Sequence, residues 1–285
     1  MVDKRTLANE IDQLHLLETV TKAYGEIAAL RMQRTRESVL AVRTFLEEIF
    51  EVFYEVRVAF ANRERALRGK KANITFLSHN GKQVAVFLSS NGGLFGDIVK
   101  KTFDLFIQEA RTSGNEITII GKQGQGLFTS LMPGVPYTYF DLPDFAIKSS
   151  DLNPVIRHIV KYDEIHLYYG RFQNVVVQDP IKVTISSKIE IGEQEQGKKA
   201  RNYLFEPSLE DILLFFENEI FSSVFQQSIN ESQLAKLASR ISAMNQASER
   251  IAAERVKLNV ATLALSHKLA DRKQRNMIPS LLLQF

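Results

Sequence analysis

The chain has 285 residues, 45% of them hydrophobic and 24% charged, with a formal net charge of +3 and no cysteine. These values describe an ordinary folded protein that contains no disulfide or thiolate chemistry, and they give no charge argument for nucleic acid. No run comes near the roughly 20 apolar residues that a membrane helix needs, and the start, Met1-Val2-Asp3-Lys4, lacks a signal-peptide core.

Residues 3–68 read as one long helix. Leu7, Ile11 and Leu14 open an apolar seam. Val39, Leu46, Phe53, Phe60 and Leu67 then recur every seventh residue, with Val42, Ile49 and Val56 beside the first three. A seven-residue apolar repeat keeps one stripe facing a partner helix. All seven prolines lie at position 133 or later, so nothing interrupts this helix. Its length is on the order of 100 Å at about 1.5 Å per residue, more than a compact core requires.

The centre of the chain alternates strand and helix signals. Ile74–Leu77 and Val84–Ser89 flank the turn His79-Asn80-Gly81-Lys82. After the glycine-rich turn 90–96, a helix runs through Ile98, Phe103, Phe106 and Ile107. A strand at Glu116–Gly121, a helix after Lys122, a strand near Tyr137–Phe140, a helix around Asn153–Val160 and a strand at Glu164–Tyr169 follow. Val175–Val177 and Ile181–Ser187 read as a last hairpin-like pair, and residues 188–205 as a polar linker. Such alternation predicts a small α/β sheet with helices on its faces.

A second long helix is expected over about 208–275, with Ser208 as N-cap. Leu237, Met244, Ile251, Leu258 and Leu265 form its seven-residue series, reinforced by Leu234, Ile241 and Ala247. Five acids and no base lie between Ser208 and Glu231, whereas nine Lys/Arg face three acids from Ser232 to Phe285. A basic stretch of this kind is a solvated helix face or a surface that docks on an acidic partner.

The fold class expected is α+β. A long antiparallel coiled coil of the N- and C-terminal helices (1–71 and 206–285) carries an inserted Rossmann-like α/β domain (72–205). Aromatic-rich segments 45–60 and 213–225 pair near that domain, and Ala23, Gly25, Ala28 and Ala29 face Ala238, Ala243 and Ala247 farther along. Beyond about Val256 the last helix is expected to outrun its partner, leaving Ile278–Phe285 as an apolar tip.

Neither glycine cluster completes a nucleotide motif. Asn91 stands where the dinucleotide fingerprint needs its first glycine, and Gly121-Lys122-Gln123-Gly124-Gln125-Gly126 has no Lys-Ser/Thr after its last glycine. His15, His79, His158, His166 and His267 show no metal-ligand spacing, and the adjacent Asp163 and Glu164 suit a turn better than acid–base chemistry. No catalytic residue, cofactor or metal is therefore assigned.

Three segments resemble the gamma subunit of the F-type rotary ATP synthase. Val20-Thr21-Lys22-Ala23-Tyr24 with Ile27-Ala28-Ala29-Leu30-Arg31 is similar to that family's Ile-Thr-Lys-Ala-Met signature and the run after it. Ser89-Ser90-Asn91-Gly92-Gly93-Leu94-Phe95-Gly96 is similar to its Ser-Asp-x-Gly-Leu-Cys-Gly-Gly turn. The stretch from Ala238 to Ser248 resembles its Ala-Ala-Arg-Met-x-Ala-Met-x-x-Ala-Thr segment. The chain departs from the pattern at Tyr24, where the family has Met, and at Glu26, and it stops short of the family's usual end.

The resemblance implies a rotor shaft without chemistry of its own, coupling ion flow through a membrane ring to conformational cycling of catalytic beta subunits. The implied partners are the alpha, beta and epsilon subunits and the membrane c-ring, with no nucleic acid and no bound nucleotide. The implied location is the cytoplasmic side of the bacterial inner membrane. Family positions put Lys22, Tyr24, Arg31, Arg240, Gln274 and Arg275 against the beta subunits. The departures from the family pattern also fit the rotor of a rotary ATPase dedicated to hydrolysis, and two other classes are compatible with parts of the sequence. A generic coiled-coil adaptor would share the arms, and a Rossmann-type enzyme would need a phosphate-cradling turn.

Overall fold

The computed structural model describes residues 4–68, 80–186, 206 and 208–282. Its elements in chain order are α1 (Lys4–Arg68), β1 (Gln83–Leu88), α2 (Ile98–Ala110), β2 (Glu116–Ile120), α3 (Lys122–Leu131), β3 (Thr138–Phe140), α4 (Ser149–Ile159), β4 (Glu164–Phe172), β5 (Gln178–Ser186) and α5 (Leu209–Leu282). The chain forms two compact units, Met1–Leu30 with Arg240–Phe285, and Arg31–Ser239. The strand expected at 74–77 and the linker at 188–205 lie outside the described residues, as do the side chains of Phe60, Leu67 and the 278–285 tip.

In the first unit the buried and half-buried positions of α1 are Leu7, Ile11, Leu14, Glu18, Thr21, Gly25 and Ala28, spaced alternately by four and three. The facing positions of α5 are Met244, Ser248, Ile251, Arg255, Leu258, Thr262 and Leu265. That alternation is the heptad seam of a coiled coil. Pairing is antiparallel: a Cβ on Gly25 would lie 3.6 Å from Met244 Cβ, while Glu18, earlier on α1, meets Arg255, later on α5.

Two expectations change here. The α5 seam continues to Leu265, not Val256, because Leu7 and Ile11 extend the α1 face to the start of the helix. Of the four small residues assigned to the seam, Gly25 and Ala28 lie on it and Ala23 and Ala29 are exposed, since only the first pair falls in the heptad register.

In the second unit the same α1 register runs on through Met32, Thr35, Val39, Val42, Leu46, Ile49, Phe53 and Val56. Phe53 and Val56 pack with Ile220, Ile212 and Phe216, and the Phe53 and Phe216 rings are 5.9 Å apart. α5 begins as its sequence predicts: the Ser208 hydroxyl accepts from the Asp211 N–H at 3.1 Å, satisfying a first-turn donor.

The sheet of this unit has the order β3-β2-β1-β4-β5. β1, β2, β3 and β4 are parallel, and β5 runs antiparallel to β4 over nine residue pairs. The last hairpin therefore joins β4 to β5. Residues 175–177, expected as a strand, form its turn, where Asn174 Oδ1 accepts from the N–H groups of Val176 (2.9 Å) and Val177 (2.8 Å). Three consecutive valines suggest a strand, but the preceding Asn caps a turn instead.

Both sheet faces are covered, so β1 is buried at every residue after Gln83. On one face Ala85, Phe87, Ile119 and Tyr168 pack against Phe103 and Phe106 of α2 and Phe128 of α3. On the other, Val84, Val86, Leu167 and Tyr169 pack against Leu152, Val155 and Ile159 of α4 and Phe221, Phe225 and Ile229 of α5. The first part of α5 is thus a wall of the α/β core.

Candidate functional site

Strand order reverses between β1 and β4, with β2 on one side of β1 and β4 on the other. In open parallel sheets that reversal leaves a crevice beyond the strand C-termini where ligands bind. Here the crevice is filled by the protein itself. Leu234, Ala235, Leu237 and Ala238 of α5 are buried, and Lys236 Nζ donates to Ser89 O, just past β1, at 2.8 Å. Gln233 Nε2 donates to Asp144 O at 3.1 Å, and the Tyr169 hydroxyl of β4 donates to Glu231 Oε2 at 3.2 Å.

The loop after β1 is closed in the same manner. The Asn91 and Gly92 N–H groups, the kind of donors that would face a phosphate, give their hydrogen bonds to the two Asp144 oxygens at 2.9 and 2.6 Å. Asn91 uses its side chain to accept from Lys122 N (2.9 Å) and donate to Leu142 O (2.9 Å). The second glycine cluster serves close packing. Gly121 has φ +100°, and a Cβ there would lie 2.8 Å from the Ser90 backbone; a Cβ on Gly124 would lie 2.7 Å from Ser89 Cβ.

Ionisable groups elsewhere in this unit are engaged in packing. Glu116 accepts from Lys82 (2.7 Å) and Tyr162 (2.5 Å), which holds its carboxyl below the usual range and contributes, after burial, to pushing the tyrosine up to about 12. Glu109 is lowered likewise, first by Lys182 and then by Tyr168. Burial depresses His158, which contacts Thr118 Oγ1, and His166, which contacts Thr184 Oγ1. Asp163 Oδ1 accepts from Gly81 N, as a turn carboxylate does. Among the described residues no group of three His, Asp or Glu side chains could hold a metal ion. No described helix is long and apolar enough to cross a membrane.

The residues assigned to partner contact fall in different settings. Lys22 and Tyr24 are exposed on α1 of the first unit, with Lys22 Nζ 2.8 Å from Glu18 Oε1. Gln274 and Arg275 are exposed on α5. Arg31, in the second unit, is exposed and lays its guanidinium 4.1 Å from the centre of the Phe145 ring. Arg240 is only 6% exposed, so it does not share an open basic face with Lys22 and Arg31.

The sequence reading passed over a second apolar stripe. Leu17, Val20, Tyr24 and Ile27 are all exposed by 41% or more and are spaced by three and four, away from the seam. On α5, Val256, Val260 and Leu263 repeat the arrangement. A helix with two apolar stripes has two faces to cover.

The model of a family described as ATP synthase matches residues 3–262. The chain belongs to that ATP synthase family. Relatives include the ATP synthase gamma chain of Desulforamulus reducens, 26% identical over 276 residues covering 93% of this chain and 94% of that protein. The gamma chain of Pelotomaculum thermopropionicum is 23% identical, with 87% of each chain covered. Among solved structures, the central stalk and c-ring assembly of the Tetrahymena thermophila mitochondrial ATP synthase contains a chain of the same fold. Its TM-score is 0.56 at 17% identity, over 80% of this chain and 99% of that one. A chain in the Euglena gracilis mitochondrial assembly gives 0.56 at 14% identity, over 89% and 94%. The heptad seam and the inserted sheet thus belong to a chain of the ATP synthase family that is similar over most of its length to gamma chains.

Proposed function

We propose that the chain is the central shaft of an ion-translocating ATP synthase and performs no chemistry itself. The observation that carries this reading is the helix α5, which in the first unit pairs with α1 along a heptad seam and in the second plugs the crevice where a nucleotide would bind. A domain so filled is suited to hold and turn a rod, not to turn over a substrate.

In this reading the α/β domain rests on the membrane c-ring beside an epsilon subunit, and the first unit lies among alternating alpha and beta subunits. Ion flow turns the shaft. Its asymmetric surface then favours a different conformation of each beta subunit in turn through differential contact. Lys22, Tyr24, Arg31, Gln274 and Arg275 offer exposed cationic and amphipathic groups for that contact, and the stripe Leu17-Val20-Ile27 offers apolar area on the same helix as Lys22 and Tyr24. Arg240, being buried, supports the shaft from within. In the same reading the chain lies on the cytoplasmic side of a bacterial inner membrane, peripheral to it through the complex.

The test is reconstitution of the alpha, beta, epsilon and membrane subunits into vesicles with and without this chain. ATP addition should acidify or load the vesicles only when it is present. ATP-driven ion uptake of equal size without it would end the proposal.

A further inference from the structure

A rotating sheet domain can drive a helix only where it grips that helix against turning and sliding. We infer that the α5 segment Gln233–Ser239 is this grip, with Lys236 as its positioning residue, an inference that rests on the shaft reading above.

Along most of the wall, contact between α5 and the sheet domain is apolar, through Phe221, Phe225 and Ile229. Apolar contact resists separation, but it has no direction and resists sliding only through shape. About one turn later the character changes. Gln233, Lys236 and Ser239 are spaced by three and share one face of the helix. Gln233 donates to Asp144 O at 3.1 Å and Lys236 to Ser89 O at 2.8 Å. At Ser239 the helix meets the loop after β1 directly: a Cβ on Gly96 would lie 2.3 Å from Ser239 Oγ and 2.9 Å from its carbonyl oxygen.

Lys236 is 8% exposed, and lysine is rarely buried unless its charge is held. Its acceptor belongs to the residue directly after β1, the central strand, so load passes into the middle of the sheet. The ammonium also sits 5.9 Å from the centre of the Phe95 ring. The adjoining cavity is about 20 Å³, room for a single water, which leaves the seat little slack.

The experiment compares wild type, Lys236→Met and Phe221→Leu in the reconstituted complex, reading ATP hydrolysis and ATP-driven ion uptake together. Methionine keeps the length of the stem and removes the charged donor; the leucine variant loosens the apolar wall at a residue outside the cavity beside Lys236 and leaves the grip alone. The expected result is assembled complex with retained hydrolysis in both, and a several-fold fall in ions moved per ATP for Lys236→Met only. An unchanged ratio in Lys236→Met, or an equal fall in Phe221→Leu, overturns the grip. If Lys236→Met does not assemble, Gln233→Leu on the same face replaces it under the same two outcomes. Wild-type chain that supports no ion uptake would instead overturn the shaft reading, a result separable from any variant.

Discussion

Glu18 and Arg255 meet across the paired helices of the first unit, with carboxylate Oε2 2.7 Å from the guanidinium, at a seam position between Leu14 and Thr21. Lys22 holds the other oxygen at 2.8 Å. Near this pair the seam is built of small residues, Gly25 and Ala28, which carry little information about register. An ion pair at a seam position tells one register from its neighbour seven residues away.

The first prediction follows from that pairing. Glu18→Arg and Arg255→Glu should each permit slippage of the hairpin, and the two together should restore the register. The chain has no cysteine of its own, so one pair introduced at Gly25 and Met244 reads it directly. Disulfide yield should fall in each single variant and recover in the double. Undiminished yield in both single variants would remove the register role.

The same contact sets a pH dependence. The hydrogen bond from Lys22, followed by the charge of Arg255, holds the Glu18 carboxyl below its ordinary value of 4.5. A depressed carboxyl contributes stability above its unfolded pKa and loses it as pH falls through the folded one. Thermal melts of the whole chain should therefore show a Glu18-dependent loss only below about pH 4.5, absent in Glu18→Gln. Glu109 and Glu116 are also depressed, so the comparison with that variant, not the raw acid limb, is decisive.

A third prediction concerns Gly96, whose φ is +63° and whose missing Cβ makes room for Ser239. Gly96→Ala imposes the left-handed strain and the clash together, about 2–4 kcal/mol of destabilisation. Adding Ser239→Ala removes the hydroxyl but not the carbonyl contact, so it should recover only part. Urea midpoints of the three variants test this, and a neutral Gly96→Ala would contradict the close approach.

The heptad logic was legible at both ends of α1, where Leu7, Ile11 and Leu14 and later Val39, Leu46 and Phe53 occupy it. It was illegible between, because Glu18, Thr21, Gly25 and Thr35 take seam positions without apolar bulk. The sheet was readable from its buried strands, but the role of α5 as plug was not. Nothing local to Lys236 distinguishes a lysine held by a strand-end carbonyl from one in water. The chemistry of the loop after β1 was half visible: Asn91 excluded the dinucleotide fingerprint, while its true occupant, Asp144, lies far along the chain.

That occupant supports a fourth prediction. Asp144→Ala leaves two main-chain donors without their acceptor, which costs about 1–3 kcal/mol. ATP should still fail to bind, because α5 fills the crevice beside the loop. Calorimetry of wild type and variant should show no heat with ATP, and micromolar binding by either would mean that the crevice opens.

The last prediction separates the cations that face outward from the one that does not. Lys22 and Arg31 are exposed, and exposed pairs with a partner are worth only about 0–1 kcal/mol each, so a single reversal should change little. Lys22→Glu with Arg31→Glu should leave the complex assembled while lowering ATP made per ion moved in vesicles. Arg240→Glu should act otherwise. At 6% exposure the new carboxylate is buried where a guanidinium was accommodated, a loss of several kcal/mol that shows as reduced melting temperature and poor assembly. The measurements are complex yield on gel filtration and synthesis rate per assembled complex. If the outward pair lowered yield and Arg240→Glu lowered only the rate, the division of labour between surface and interior would be reversed.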